Sequence, residues 1–218
     1  MAPFLFGDNR MASVVDICNL ALAHLGEIPN ISSIDPPEGS AHAEKCERFY
    51  PLARDTALEM RNWSFALKRV VLAQVENDHP SWQFKYALPA DCIRPISVAQ
   101  PGTHVEVFAA IYPDRPQPLG RPAVDDFAVE GAFIYTSRED VELLYLRRIS
   151  DTTKFPPLFV SAVAWLLASY LAGSITRDMD IKQWCYEMFE RDLSLSAQSV
   201  ANGGQTTNQH TPHWISQR

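Results

Sequence analysis

An uncharged stretch of 22 residues, Phe155 to Thr176, constrains the fold of this chain more than any other segment. Pro156 and Pro157 are typical of the first positions of a helix, where no intrahelical hydrogen bond is lost, and Gly173 is typical of a helix end. From Pro156 to Ala172 the helix would be about 25 Å long, which is short for a bilayer core of about 30 Å.

Two interpretations of this helix are open: a membrane span, or the central helix of a soluble protein. Its serines and alanines dilute the hydrophobicity, and neither end carries the basic cluster that sets the orientation of a span. Large apolar side chains fall on two faces: Phe159, Val163, Leu166 and Tyr170 on one, and Val160, Leu167 and Leu171 on the other. An apolar surface this wide favours a buried helix that packs on several sides.

The composition allows one sizeable domain or two small ones, since the chain has 218 residues and 46% of them are hydrophobic. The net charge of −7 argues against binding to nucleic acid through a basic surface, because such binding needs clustered lysines and arginines. The four cysteines, at positions 18, 46, 92 and 185, have no paired spacing, which favours reduced core residues over disulfides or zinc ligands. No signal peptide is evident, so we expect synthesis inside the cell.

Three further helices are predicted. The first begins at the N-cap Ser13, runs to Leu25 and ends at Gly26. The second follows the N-cap Ser40 and runs from residue 41 to about residue 62, with a kink expected at Pro51. The last runs from about residue 181 to residue 200, with an apolar face made by Ile181, Trp184, Cys185, Met188 and Phe189.

One face of the second helix is strongly charged and includes Arg48, Arg54 and Glu59. It is either a solvated surface or a contact with neighbouring copies of the chain. From the sequence alone, a solvated surface is favoured.

Between residues 63 and 150 the apolar runs are short and are interrupted by proline, glycine or acidic turns. They predict strands at residues 65–75, 84–88, 93–98, 105–111, 127–129, 132–136 and 141–146, with a hairpin turn at Glu130-Gly131 and a loop at 112–122. We expect a small antiparallel sheet or partial barrel. The predicted class is α+β: a helical domain of about four helices from residues 13–62 and 151–200, an inserted β domain at 63–150, and a flexible, extended tail at 201–218.

The two ends of the chain lack such periodicity. Phe4, Leu5 and Phe6 either pack on another chain or belong to a frayed terminus ahead of a second possible start at Met11. Residues 201–218 are rich in glycine and polar side chains, so alone they should be disordered. Trp214 and Ile215 are the only large apolar residues there, and they indicate an anchor that orders on a partner.

Signals of catalysis are weak throughout the chain. No glycine-rich phosphate loop follows a strand, and no GxSxG element is present. His210 and His213 have metal-binding spacing only on a helix, and no other ligands lie nearby in the sequence. Carboxylate pairs such as Asp125-Asp126 lie beside predicted turns, where acidic residues are expected anyway. We therefore predict a protein that is not an enzyme and uses no cofactor or metal.

Four segments form an ordered set along the chain. They are DICNLALAHLGE at residues 16–27, AEKCERFYPLARDTALEMRNWSFALKR at 43–69, YALPADCIRPISV at 86–98, and a hairpin-to-helix passage at 129–172. Together they resemble the tail tubular protein A family of podophages, the head-to-tail adaptors. The resemblance covers residues 14 to about 195, and the ordered set is more specific than any one motif.

This resemblance implies a ring of twelve copies that lies between the portal protein and the tail nozzle protein and continues the channel for DNA ejection. Tail fibres are a further implied partner, whereas DNA would pass without specific binding and no membrane would be involved. The protein would assemble in the host cytoplasm and reside in the virion. The site candidates are Arg48, Arg54 and Glu59 for subunit contact, and Trp214, Ile215, Phe4 and Phe6 for anchoring to the portal or a neighbour.

Two alternatives stay open. A tail-associated hydrolase acting on cell-wall glycans would need two carboxyl groups facing each other across a substrate. A membrane protein would use residues 156–176 as its span.

Overall fold

The structure is a computed structural model that describes residues 12–102 and 127–203, with side chains up to residue 196. The fold is α+β, as the sequence predicts. Within the described ranges the helices are α1 (Val14–His24), α2 (Ala41–Glu59), α3 (Pro157–Ile175) and α4 (Met179–Gly203). The strands there are β1 (Leu67–Val71), β2 (Gln74–Val75), β3 (Phe84–Ala87), β4 (Cys92–Ala99), β5 (Phe127–Glu130), β6 (Phe133–Thr136) and β7 (Glu142–Arg147).

α1 begins where the sequence predicts and ends at His24, one residue before the predicted end, with Leu25 as its C-cap. The Ser13 hydroxyl accepts a hydrogen bond from the Asp16 N–H (3.1 Å), and the Asp16 carboxylate accepts one from the Ser13 N–H (2.9 Å). This reciprocal pair is a capping box. Gly26 follows the helix with a φ of +77°, a left-handed conformation that glycine adopts without a steric penalty.

α2 begins as predicted but ends at Glu59, three residues before the predicted end. The hydroxyl of Ser40 caps it by accepting a hydrogen bond from the Ala43 N–H (3.1 Å). The helix continues past Pro51, which is exposed. Its buried residues form a single stripe: Ala43, Cys46, Tyr50, Ala53, Ala57 and Leu58.

α3 contains most of the uncharged stretch, with Pro156 as its N-cap. The predicted end at Gly173 is wrong, because the helix continues to Ile175. The left-handed position after the helix is occupied by Arg177 (φ +55°) instead of a glycine. The Arg177 N–H donates to the Ala172 carbonyl (3.2 Å), so the last turn is closed by a backbone hydrogen bond.

α3 packs against α1, α2 and α4. Its buried residues lie all around its circumference: Phe159, Ala162, Val163, Ala164, Leu166, Leu167, Ala168, Ser169, Leu171 and Ala172. It is also the one helix in the described part of the chain that is long and apolar enough to cross a membrane. Its burial against protein supports the interpretation as a central core helix.

α4 begins two residues before the predicted start. Cys185, Phe189 and Leu193 are buried, as their helical spacing requires. Trp184, predicted on the same apolar face, is nevertheless 47% exposed. It precedes Cys185 by one residue, or about 100° of helix rotation, and so lies at the edge of the buried face.

The strands form two antiparallel sheets. The three-stranded sheet has the order β1-β7-β4, and the four-stranded sheet has the order β2-β3-β6-β5. β5 and β6 make the predicted hairpin, with Val129 paired to Ile134 and Gly131 (φ +60°) in the turn. The strand predicted at 105–111 and the loop predicted at 112–122 lie outside the described residues.

The single strand predicted at residues 65–75 is wrong. Residues 64–66 form a 3-10 turn, and the following β1 and β2 belong to different sheets. Between these strands, the Leu72 N–H donates to the Val141 carbonyl (2.9 Å), and both side chains are buried. The chain therefore crosses from one sheet to the other within an apolar run that has no glycine or proline to mark the change.

β7 contributes to two apolar clusters. Leu143 and Tyr145 belong to the cluster among the strands, whereas Leu146 belongs to the larger cluster of the helices. Alternate residues of a strand point to opposite faces, so β7 connects the two clusters. The division into a helical domain and an inserted β domain, with limits at residues 62, 150 and 200, stays a prediction.

Replacing Trp63 by alanine should lower the free energy of unfolding by about 3–5 kcal/mol. Trp63 is buried, its indole N–H donates to the Ala57 carbonyl (2.9 Å), and its ring packs edge-on against Phe159 (4.8 Å between centroids). Urea denaturation followed by circular dichroism measures the change. Trp184→Ala is the matched control and should cost less than about 1.5 kcal/mol, since Trp184 is half-exposed. Equal losses for both variants would contradict this account of the core.

Candidate functional site

The outer face of α2 carries two of the three charged residues predicted to contact a neighbouring copy. Arg48 and Glu59 are both exposed and are 11 residues apart, which places them about 20° from each other around the helix. Leu52 lies between them and is 54% exposed. We call Arg48, Leu52 and Glu59 the α2 outer stripe. It lies opposite the buried residues of the helix and is open to a partner.

Arg54 does not belong to this stripe. It is about 240° of helix rotation from Arg48, and its side chain is only 11% exposed. Its guanidinium pairs with the Asp55 carboxylate (2.7 Å), which also accepts from Arg148 Nε (2.9 Å). The structure therefore places Arg54 in an intramolecular ion-pair network, apart from Arg48 and Glu59.

Arg54 lines a cleft of about 600 Å³ between the start of α1, the segment 32–35 and α2. The wall includes Tyr50, whose buried hydroxyl has no hydrogen-bond partner among the described residues. Burial raises the pKa of Tyr50 to about 12, so the hydroxyl stays protonated at neutral pH. The carboxylates of Asp35 and Glu47 also line the cleft. Since Arg54 is already neutralised by Asp55, the cleft has no net positive charge to hold a phosphate.

A ladder of three aromatic rings lies where α1, α3 and α4 meet. The His24 imidazole stacks on the Trp165 indole, with 3.4 Å between ring centroids and 7° between planes. Trp184 meets Trp165 edge-on at 5.1 Å and 87°. Nearby, the Ser161 hydroxyl donates to the Asp192 carboxylate (2.5 Å), and Asp192 is itself buried. The ladder connects the core to the outer surface of α4.

Burial lowers the pKa of His24, and the negative charge of Asp192 offsets part of this effect. The buried Nε2 atom of His24 has no hydrogen-bond partner among the described residues. The imidazole is therefore neutral in the folded protein at neutral pH. His24 is therefore a half-buried residue at the edge of the core.

Trp184 begins an outer stripe on α4 that the sequence did not single out. Trp184, Glu187, Arg191 and Leu195 follow the helical repeat at intervals of three, four and four residues. All four are exposed, with Leu195 at 42%. We call them the α4 outer stripe. This stripe was predictable from the sequence, by applying the same helical repeat to the face of α4 opposite its buried residues.

The four cysteines are free thiols, and Cys18, Cys46 and Cys185 are buried in the core. The predicted core position is confirmed for these three, while Cys92 is half-buried. No group of three or more potential metal ligands occurs within residues 12–102 and 127–196. His210 and His213 lie outside the described residues, and so do the anchor candidates Phe4, Phe6, Trp214 and Ile215.

No family model matches the chain, and no curated protein matches it either.

Lowering the pH should destabilise the protein partly through His24. Its folded-state pKa lies below the ordinary value of 6.5, so the unfolded state takes up the proton first and stability falls as the pH drops through that value. Urea denaturation between about pH 7.5 and pH 5.5 should show a steeper loss of stability for the wild type than for His24→Gln. If the free energy of unfolding falls equally with pH in the two proteins, the pKa of His24 is the same in the folded and unfolded states, and this account is wrong.

Tyr50→Phe should leave the free energy of unfolding unchanged or raise it by up to about 1 kcal/mol, because it removes a buried hydroxyl that has no partner in the described part of the chain. Tyr145→Phe is the matched control: the Tyr145 hydroxyl donates to the Asp91 carboxylate (2.7 Å), so its loss should cost about 1.5–3 kcal/mol. Thermal denaturation compares the two. A loss above about 1 kcal/mol for Tyr50→Phe would mean that its hydroxyl is bonded.

Proposed function

We propose that this protein is a structural head-to-tail adaptor of a podophage, forming a ring of about twelve copies between the portal and the tail nozzle. The observation that carries the proposal is the ordered set of four segments that resembles the tail tubular protein A family. Three of them contribute to the packed helices: the first supplies most of α1, the second most of α2 and the start of β1, and the fourth β6, β7 and most of α3. They therefore include the central core.

The surface of α2 suits a subunit that contacts identical neighbours. Its outer stripe combines two opposite charges with an exposed leucine, a mixture that can pair with another protein surface. A ring forms when one surface of each copy contacts a different surface of the next copy and the rotation closes. Arg48 and Glu59 are the residues we assign to this contact, while Arg54 supports the helix from within.

The charge of the chain is compatible with a channel for DNA. With a net charge of −7, the chain would let DNA slide through the ring without the phosphate contacts that hold it in place. The ends of the chain would attach the ring to the portal or to a neighbouring copy, through Trp214 and Ile215 or through Phe4 and Phe6. Tail fibres are a further partner in this proposal.

Mixing the purified protein with the portal protein of the same phage should give rings on the portal, visible by electron microscopy and measurable by mass. A monomer in the absence of portal is compatible with the proposal, because such a ring can require its partner to assemble. Failure to bind the portal, together with absence of the chain from purified virions, would rule the proposal out.

Two truncated chains serve as comparisons in the same assay. If the tail is the anchor, removal of residues 201–218 should weaken assembly on the portal, whereas removal of residues 1–12 should not. The opposite result would assign the anchor to Phe4 and Phe6.

A further inference from the structure

α2 and α4 both pack on α3, at different positions around it. Phe159 of α3 packs against Trp63, whose indole is hydrogen-bonded to the α2 carbonyl of Ala57. Ser161 of α3 donates its hydroxyl to Asp192 of α4. Positions 159 and 161 are about 200° apart around a helix. One copy of the chain therefore exposes two different helix faces, and a closed ring of identical subunits needs two different contact surfaces on each copy.

The two outer stripes have complementary chemistry. In the α2 outer stripe, Arg48 precedes Glu59, with the exposed Leu52 between them. In the α4 outer stripe, the order of charge is reversed, because Glu187 precedes Arg191. Two such helices attract each other only if they run in the same direction, since the opposite direction would place like charges together.

The distances are also compatible with this pairing. Arg48 and Glu59 are separated by about 16 Å along α2, and Glu187 and Arg191 by about 6 Å along α4. With the stripes centred on each other, each charged pair is offset by about 5 Å along the helix axes, which long arginine and glutamate side chains can bridge. Leu52 would then face the middle of the α4 outer stripe, and Arg48 would approach the exposed ring of Trp184, a geometry for a cation–π contact.

We propose that the α2 outer stripe of one copy packs in parallel on the α4 outer stripe of the next copy, pairing Arg48 with Glu187 and Glu59 with Arg191. This inference rests on the proposed ring and names the surface that completes it. Each stripe contains one positive and one negative residue, so neither would attract DNA or a uniformly charged partner. The exposed Trp184 and Leu195 supply the apolar contacts that such an interface needs.

Charge reversal tests the pairing. Arg48→Glu and Glu187→Arg should each reduce the amount of protein assembled on the portal by about tenfold or more, because each places like charges together across the interface. The double variant restores the opposite pairing and should recover most of the wild-type assembly. Sedimentation velocity and electron microscopy of the mixtures with portal measure the assembled fraction.

The matched control is Arg61→Glu, an exposed arginine just beyond the end of α2, which should assemble as the wild type does. All variants should unfold at the wild-type temperature, since the altered residues are exposed.

The outcomes separate the two proposals. If the wild type forms no ring on the portal, the adaptor function fails. If the wild type assembles but both single reversals assemble equally well, or the double variant does not recover, the ring stands and the pairing is wrong. Stronger assembly of the Arg48→Glu variant than of the wild type would also contradict the pairing. Such a result would mean that position 48 lies beside Arg191, in helices that run in opposite directions.

Discussion

The burial of α3 on all sides is the interaction on which the rest of this structure depends. A helix with large apolar residues around its whole circumference gains from burial only if several elements cover it at once. α1, α2 and α4 do so here. Two of these helices precede the strands in the chain and one follows them. The chain must therefore pass from the strands back to the helices. β7 is the last strand before α3, and its Leu146 belongs to the helical core.

A core arranged around one central helix leaves the flanking helices half-covered. The buried faces of α2 and α4 are set by α3, and their opposite faces are free to carry charges and a few large apolar residues. Function would then come from the exposed faces of these helices, outside the buried core. Changes at Arg48 or Glu187 can alter contacts between copies without altering the subunit, whereas changes at Trp63 or Phe159 cannot.

The local parts of this fold were predictable, because their causes are local. Ser13, Ser40 and Pro156 fix the starts of helices through caps and restricted backbone angles, and Gly131 marks a hairpin. The break between β1 and β2 was not predictable, since it depends on Leu72 meeting Val141 from a distant part of the chain. The exposure of Trp184 has a similar cause: periodicity defines an apolar face, but the neighbouring helix determines which edge of it is covered. The sequence was also sufficient to place Arg54 and Arg48 on different faces of α2, because the two residues are about 240° of helix rotation apart.

The aromatic ladder of His24, Trp165 and Trp184 connects the α4 outer stripe to the core through ring contacts. Trp184 rests against Trp165, and Trp165 is held by the stacked His24, so the exposed indole is supported from below by two further rings. A pre-positioned aromatic side chain loses little rotamer freedom when a partner covers it, which is what an anchor residue of an interface requires. A neighbouring copy that bound here would in turn stabilise the folded subunit by mass action. Ring assembly and the stability of the helical core would then be coupled through the same three rings.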